Sequence, residues 1–228
     1  MSQIQVELQE SMGSDRRIAE SAWTSSSTHD TKLTKTDQQV ADLVNRLANE
    51  GHATPFEAVV LRFWIKMPIA TDRQHMTHRI ASHNGMSGRY RTMPSEFLAM
   101  PDEIVSILDK CMHSDKVKQD YEDLCLNANM WYSQVMAMVK ANYSTGNFTN
   151  PEYKRIREFL RGVLPQHNMT ERVTVMNLRS FANYQRLRNS EHAQPEIREV
   201  SRLMLEAVKA ANVCPIALAA LERLGWQI

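Results

Sequence analysis

Thr77-His78-Arg79-Ile80-Ala81-Ser82-His83-Asn84-Gly85-Met86-Ser87-Gly88-Arg89-Tyr90 is the stretch on which the reading of this chain turns. It gathers His78, Arg79, His83 and Arg89 around a Ser87-Gly88 pair, with Gln74 just upstream, and holds little apolar surface to pack them. Burying such groups costs free energy unless each is paired, so a purely structural segment gains little by collecting them. An anion site gains much. Arginine presents a fork of donors to phosphate and carbonyl oxygens, and glycine lets the backbone come close to a ligand. The bland alternative is a solvated loop whose basic residues make surface ion pairs, each worth under about 1 kcal/mol.

Working outward, Leu61, Phe63, Ile65 and Met67 alternate with Val60, Arg62, Trp64 and Lys66, which predicts a strand. The polar run from Ile69 to Arg79 predicts a short helix leading into the central segment. Upstream, Val40, Leu43, Val44 and Leu47 share a helical face that Gly51 terminates, and Thr54-Pro55-Phe56-Glu57 predicts a helix start capped by Thr54. The Ser-, Thr- and Asp-rich run from Ser21 to Lys35 is expected to be a mobile surface loop. Downstream, Pro94 and Pro101 bracket a connection. A long helix is predicted from about Ser114 to Asn142, on the spacing of Tyr121, Leu124, Cys125, Val135 and Met138. Further helices are expected over Pro151 to Gly162, Leu178 to Arg188, Pro195 to Ala211 and Pro215 to Leu224, with a strand from Glu171 to Asn177. The fold class is α+β, and the absence of repeats and long linkers predicts one domain over residues 1–228.

Composition bounds the rest. A chain of 228 residues, 43% hydrophobic and 23% charged, suits a soluble globular domain with a proper core. A net charge of +1 speaks against broad electrostatic binding to nucleic acid or an anionic membrane, so anion recognition must be local. No apolar run approaches a bilayer span, and Met1 to Glu10 lacks a basic-then-apolar signal pattern. Cys111, Cys125 and Cys214 are odd in number and widely spaced. They read as reduced, mostly buried thiols of a cytoplasmic protein, with no metal spacing. The fourteen methionines read as core filling.

A second polar run begins at Thr174-Val175-Met176-Asn177-Leu178-Arg179-Ser180 and continues through Asn183, Leu187-Arg188 and His192-Ala193-Gln194. On a helix from Leu178, Arg179, Asn183 and the 186–187 region share one face just past a strand end. That is a perch for a polar ligand, or else an ordinary amphipathic helix. Ser87 has no His/Asp relay placeable beside it and reads as a ligand contact rather than a nucleophile. His75 and His83 read as surface or loop residues, and His52 as a structural histidine or a ligand neighbour.

The central stretch resembles the signature of the flavin-dependent thymidylate synthases, Arg-His-Arg, seven residues, Ser; here it reads Thr77-His78-Arg79, seven residues, Ser87. The second run is similar to the same family's Asn-x-Arg, Asn, Leu-Arg and His-Ala-Gln order. Gly51-His52-x-Thr54-Pro55-Phe56-Glu57, Lys66-x-Pro68-Ile69, Arg73-Gln74 and Arg161 before Leu164-Pro165 extend the likeness to roughly residues 5–225. Three positions depart: Thr77 replaces an arginine, Gly85 a glutamate, and Trp23 stands where an arginine is usual.

The resemblance implies conversion of dUMP to dTMP, with methylenetetrahydrofolate as one-carbon donor and NADPH reducing a bound FAD. It implies an α/β homotetramer with active sites shared between subunits, using no metal. It places the dUMP contacts on Gln74, Ser87, Gly88, Arg89, Arg161 and Arg188, with Arg188 against the uracil edge as the principal catalytic residue. FAD would be held by Thr54, His78, Arg79, Asn177, Arg179, Asn183 and His192. The departures leave three other outcomes open: a relative acting on another pyrimidine nucleotide, a catalytically silent relative, or a nucleotide-binding module with no redox role.

Overall fold

The structure is a computed structural model that describes residues 3–227. In chain order its elements begin β1 (Gln5–Met12), α1 (Asp15–Trp23), α2 (His29–Leu33), α3 (Asp37–Asn49), β2 (Val60–Pro68), α4 (Ile69–His75) and β3 (Ser82–Gly85). They continue α5 (Asp102–Leu108), α6 (Ser114–Ser144), α7 (Asn150–Leu160), β4 (Met169–Asn177), α8 (Leu178–Arg188), α9 (Pro195–Ala210) and α10 (Pro215–Arg223). The contacts gather into two compact units. The first comprises the chain up to Met67, Arg73–Asn84 and the chain from Glu171; the second comprises Pro68–Asp72 and Gly85–Thr170.

The first unit is built on the sheet, in the order β1-β2-β4-β3. β1 runs antiparallel to β2, Gln5 opposite Lys66 and Met12 opposite Val60, with a register shift between Leu8 and Glu10. The alternation read in β2 holds: Leu61, Phe63, Ile65 and Met67 are fully buried, each contributing about 1.5–3 kcal/mol by leaving water. Across the core, Phe63 stacks on Phe181 of α8 with ring centroids 6.0 Å apart. The Val40, Leu43, Val44 and Leu47 face of α3 is buried, and α3 packs on α1 and α10. Gly51 follows that helix at φ +70°, as its role as a terminator requires. At Gly13, φ is +99° and a Cβ would lie 2.6 Å from the Ala58 carbonyl oxygen, so the turn from β1 into α1 admits only glycine.

In the second unit α5 and α7 each pack on the 31-residue α6. Tyr132, Met136 and Leu164 form its apolar centre, with Met93 and Leu160 against it.

Four sequence expectations need correction. Ser21 to Lys35 is not one loop: α1 runs to Trp23, and Thr28 caps the short α2 by accepting from the Thr31 N–H. Ser and Thr favour caps as readily as loops. Thr54 is no cap either. It lies inside a 3-10 turn, Thr54–Ala58, that lacks a side-chain cap. On α6 the buried face is Cys125, Asn129, Tyr132, Met136 and Val139. Leu124 and Met138, whose spacing helps predict the helix, are 71% and 65% exposed. Finally, His75 is no surface residue but is fully buried at the end of α4. Strands β1 and β3 and helices α1 and α5 have no counterpart in the sequence reading, although Val6 and Leu8 alternate with polar neighbours in β1.

Candidate active site

Strand β4 ends at Asn177, whose side-chain oxygen accepts from the Ser180 N–H at 2.8 Å and so starts α8. The cap fixes the phase of the helix. Arg179, Asn183, Arg186 and Leu187, at three- and four-residue spacing, then face a cavity of about 990 Å³, with Arg188 at the last helical position. The opposite wall comes from the segment after α4, namely Thr77, His78, Arg79 and Ile80. The two polar runs of the sequence therefore meet across one cleft of the first unit.

The electrostatics of the cleft favour an anion. Arg79, Arg179, Arg186 and Arg188 line it, against the single carboxylate of Glu57 among the described residues. Glu57 is engaged with Arg179 at 2.7 Å, and Arg186 donates to the Asn183 side-chain oxygen at 2.9 Å. A volume near the top of the range for ligand pockets, with forked cations on its walls, fits a large anionic cofactor such as a flavin dinucleotide.

Arg188 is anchored along one edge of its guanidinium by two partners. Its Nε donates to His78 Nε2 at 2.8 Å, and its Nη2 donates to Thr77 Oγ1 at 3.0 Å. The Thr77 hydroxyl donates onward to the Gln74 carbonyl at 2.7 Å. A threonine in place of the family's arginine thus supplies an acceptor for Arg188, where a cation would repel it. Because Arg188 donates to its Nε2, His78 is an acceptor there. Burial, followed by the charge of Arg188, lowers its pKa to about 4, so the imidazole is neutral near pH 7.

The other expected residues divide among three places. Thr54 lines a shallower hollow of about 460 Å³ that also includes His52 and Arg179. His52 itself lies 3.4 Å from Glu50, on the surface. Gln74 donates to Gln194 at 2.9 Å, while its Oε1 is buried without a partner among the described residues. His192 is exposed after α8 and does not line the large cleft.

In the second unit Ser87, Gly88, Arg89 and Arg161 come together. The Arg89 N–H donates to Ser87 Oγ at 3.2 Å, and its Nε lies 2.7 Å from Glu158. Gly88 is buried against the Arg161 stem, whose Cδ would lie 2.8 Å from any added Cβ. Sequence reasoning missed Trp226, which lines the large cleft, and also His75, Thr174 and Tyr184. The signal for His75, Thr174 and Tyr184 was polarity at positions of strand or helix periodicity, whereas Trp226 lies beyond α10 at φ +63°, where periodicity carries none.

Residues 7–216 match the family model described as thymidylate synthase complementing protein. The flavin-dependent thymidylate synthase of Treponema denticola is 32% identical over 220 residues, 96% of this chain and 79% of that protein. The enzyme of that name from Thermus thermophilus is 32% identical over 220 residues, 95% and 75% of the two chains. Among solved structures, a UMP/dUMP methylase, PolB from Streptomyces cacaoi bound with 5-Br dUMP, superposes with a TM-score of 0.72. It is 25% identical, over 99% of this chain and 97% of that one. With a matching family model across most of its length and relatives of this identity, the chain belongs to the flavin-dependent thymidylate synthase family.

Proposed function

We propose that this protein reductively methylates dUMP to dTMP, taking the one-carbon unit from methylenetetrahydrofolate and reducing equivalents from NADPH through bound FAD. The observation that carries the reading is the Arg188 anchorage, a guanidinium held at one edge by His78 and Thr77 beside a cationic cleft. Its Nη1 makes no hydrogen bond or ion pair with the described residues and is left for a ligand oxygen. Placed at the uracil edge, a fixed cation favours the N3-deprotonated ring and raises the nucleophilicity of carbon 5 by preorganisation. Arg79, Asn177, Arg179 and Asn183 would hold the flavin, with Thr54, His78 and His192 nearby. The bound flavin supplies the redox chemistry; the protein orients it. Ser87, Gly88, Arg89, Arg161 and Gln74 would take the nucleotide, the arginines serving its phosphate. Gln74 Oε1, buried and without a donor among the described residues, would accept from a ligand N–H.

A homotetramer in the cytoplasm is part of the proposal. Leu124, Ala128, Trp131, Val135 and Met138 form a stripe along α6 beside its buried face, and Leu124, Trp131 and Met138 are exposed. Apolar stripes of this length usually cover another chain. Trp131→Glu should lower the mass measured by light scattering from that of four chains; an unchanged mass would place the interface elsewhere. No helix among the described residues is long and apolar enough to cross a membrane.

The likeness to a UMP/dUMP methylase gives a second reading weight, in which UMP is accepted beside dUMP. Tritium release from 5-labelled dUMP, UMP and dCMP, run in parallel with a flavin absorbance titration, tests both. Release from dUMP with flavin bound supports the first reading, and equal release from UMP the second. A protein that binds nucleotide but neither binds flavin nor releases tritium is a silent relative or a binding module.

A further inference from the structure

Behind the cleft lies a ring of polar side chains that the proposed chemistry does not use. The His78 carbonyl can only accept, so the His83 Nε2 that lies 3.2 Å from it carries the proton. With His83 neutral, its Nδ1 accepts from the Thr174 hydroxyl at 3.1 Å. The Thr174 oxygen is then free to accept from the His75 Nε2–H at 2.8 Å. His75 Nδ1 in turn accepts from the Tyr184 hydroxyl at 2.9 Å. The Tyr184 ring packs on the His78 ring, centroids 4.5 Å apart and tilted by 56°. The circuit begins and ends on His78, holding its backbone through His83 and its imidazole through Tyr184.

We propose that His75, Thr174 and His83 are positioning residues for Arg188, acting through His78. The inference rests on the reading of Arg188 as the group that meets the pyrimidine.

Three physical points support it. First, the interior would be cheaper with apolar side chains, since His75 and Thr174 are fully buried and each needs every hydrogen-bonding atom satisfied. Both ring nitrogens of His75 and the Thr174 hydroxyl find their partners inside the ring, without solvent. Second, the ring draws on α4, β3, β4 and α8, and thereby ties the segment carrying Thr77 and His78 to the helix carrying Arg188. Third, burial lowers the His75 pKa to about 3, so that side chain stays neutral and the hydrogen bonds keep one direction. An arginine side chain gives up considerable rotamer freedom when it is fixed, and holding its partner imidazole still is a direct way to restrict it.

Thr174→Val keeps shape and strand preference but deletes the hydroxyl; Thr174→Ser keeps the hydroxyl. With flavin and dUMP bound, Thr174→Val should lower kcat by about tenfold or more while KM for dUMP moves less than about threefold, as expected for misplacement at the reacting centre. Thr174→Ser should recover most of the loss. Wild-type kcat in Thr174→Val, or a serine variant no better than the valine one, would overturn the proposal. If Thr174→Val does not fold, His83→Phe on the half-buried β3 removes the same link and is judged by the same kcat criterion.

Imidazole nitrogen shifts of the unliganded protein at about pH 8, above the ordinary histidine range, read the ring without turnover. Protons on Nε2 of His75 and His83 and on Nδ1 of His78 support it, and any other pattern overturns it. Should the wild-type protein neither bind flavin nor act on dUMP, the functional reading falls, and these shifts still decide whether the ring exists.

Discussion

Arg188 Nε donates to His78 Nε2 across 2.8 Å, so a permanent cation is held by a histidine that must stay unprotonated to hold it. Burial and the guanidinium itself keep His78 neutral. The same contact leaves the far edge of the guanidinium for the substrate. Anchorage and catalysis are therefore divided between two edges of one planar group, which lysine cannot imitate.

Arg188→Lys should therefore lose about a hundredfold or more in kcat while the protein still folds and takes up flavin, the size expected for one preorganised donor at developing charge. Steady-state turnover beside a flavin titration measures this. A lysine variant within about threefold of wild type would remove Arg188 from the chemistry.

Acid should destabilise the first unit through His75. Its folded-state pKa, about 3, lies below the ordinary histidine value of 6.5, so the unfolded chain binds the extra proton. Stability from this residue is complete above about pH 6.5 and is lost as the pH falls towards 3, by at most about 1.4 kcal/mol per pH unit. Urea midpoints between about pH 7 and pH 5 should fall more steeply for wild type than for His75→Phe. Parallel slopes would mean that His75 is not buried neutral.

Gly88→Ala should act on nucleotide affinity. A Cβ at this position meets Arg161 Cδ at 2.8 Å and Met93 at 3.2 Å, so the arginine stem must move while the backbone need not. KM for dUMP should rise by about tenfold with kcat altered much less, the pattern of lost ground-state binding. An unchanged KM would detach Arg161 from the phosphate.

Arg157 offers a stability test remote from the site. It is the most buried residue of α7, 8% exposed, and its Nε and Nη2 reach no acceptor among the described residues. Its guanidinium lies 5.4 Å over the Tyr153 ring, which offsets part of the desolvation. Replacing a poorly compensated buried charge by an apolar side chain of similar length is often neutral or stabilising by about 1–4 kcal/mol. Arg157→Met should raise the urea midpoint; a clear fall would reveal a partner that the charge needs.

Local pattern carried a large part of this reading. The alternation in β2, the phase and both ends of α8, and the spacing of the two polar runs are short-range properties, set by backbone period and caps, and they survive unchanged in three dimensions. What periodicity cannot report is what covers a face. On α6 the stripe through Leu124 and Met138 and the stripe through Tyr132 and Met136 are both apolar, and only the packing of α7 and Leu164 decides which is core. The ring behind Arg188 was illegible for a related reason. His75 bonds Thr174 and Tyr184 from 99 and 109 positions away. Sequence by itself determined which residues carry charge and on which helix face they stand. Only the tertiary structure decided that a buried histidine, a strand threonine and a helix tyrosine share hydrogen bonds, because a polar interior atom is satisfied by whatever lies near it in space.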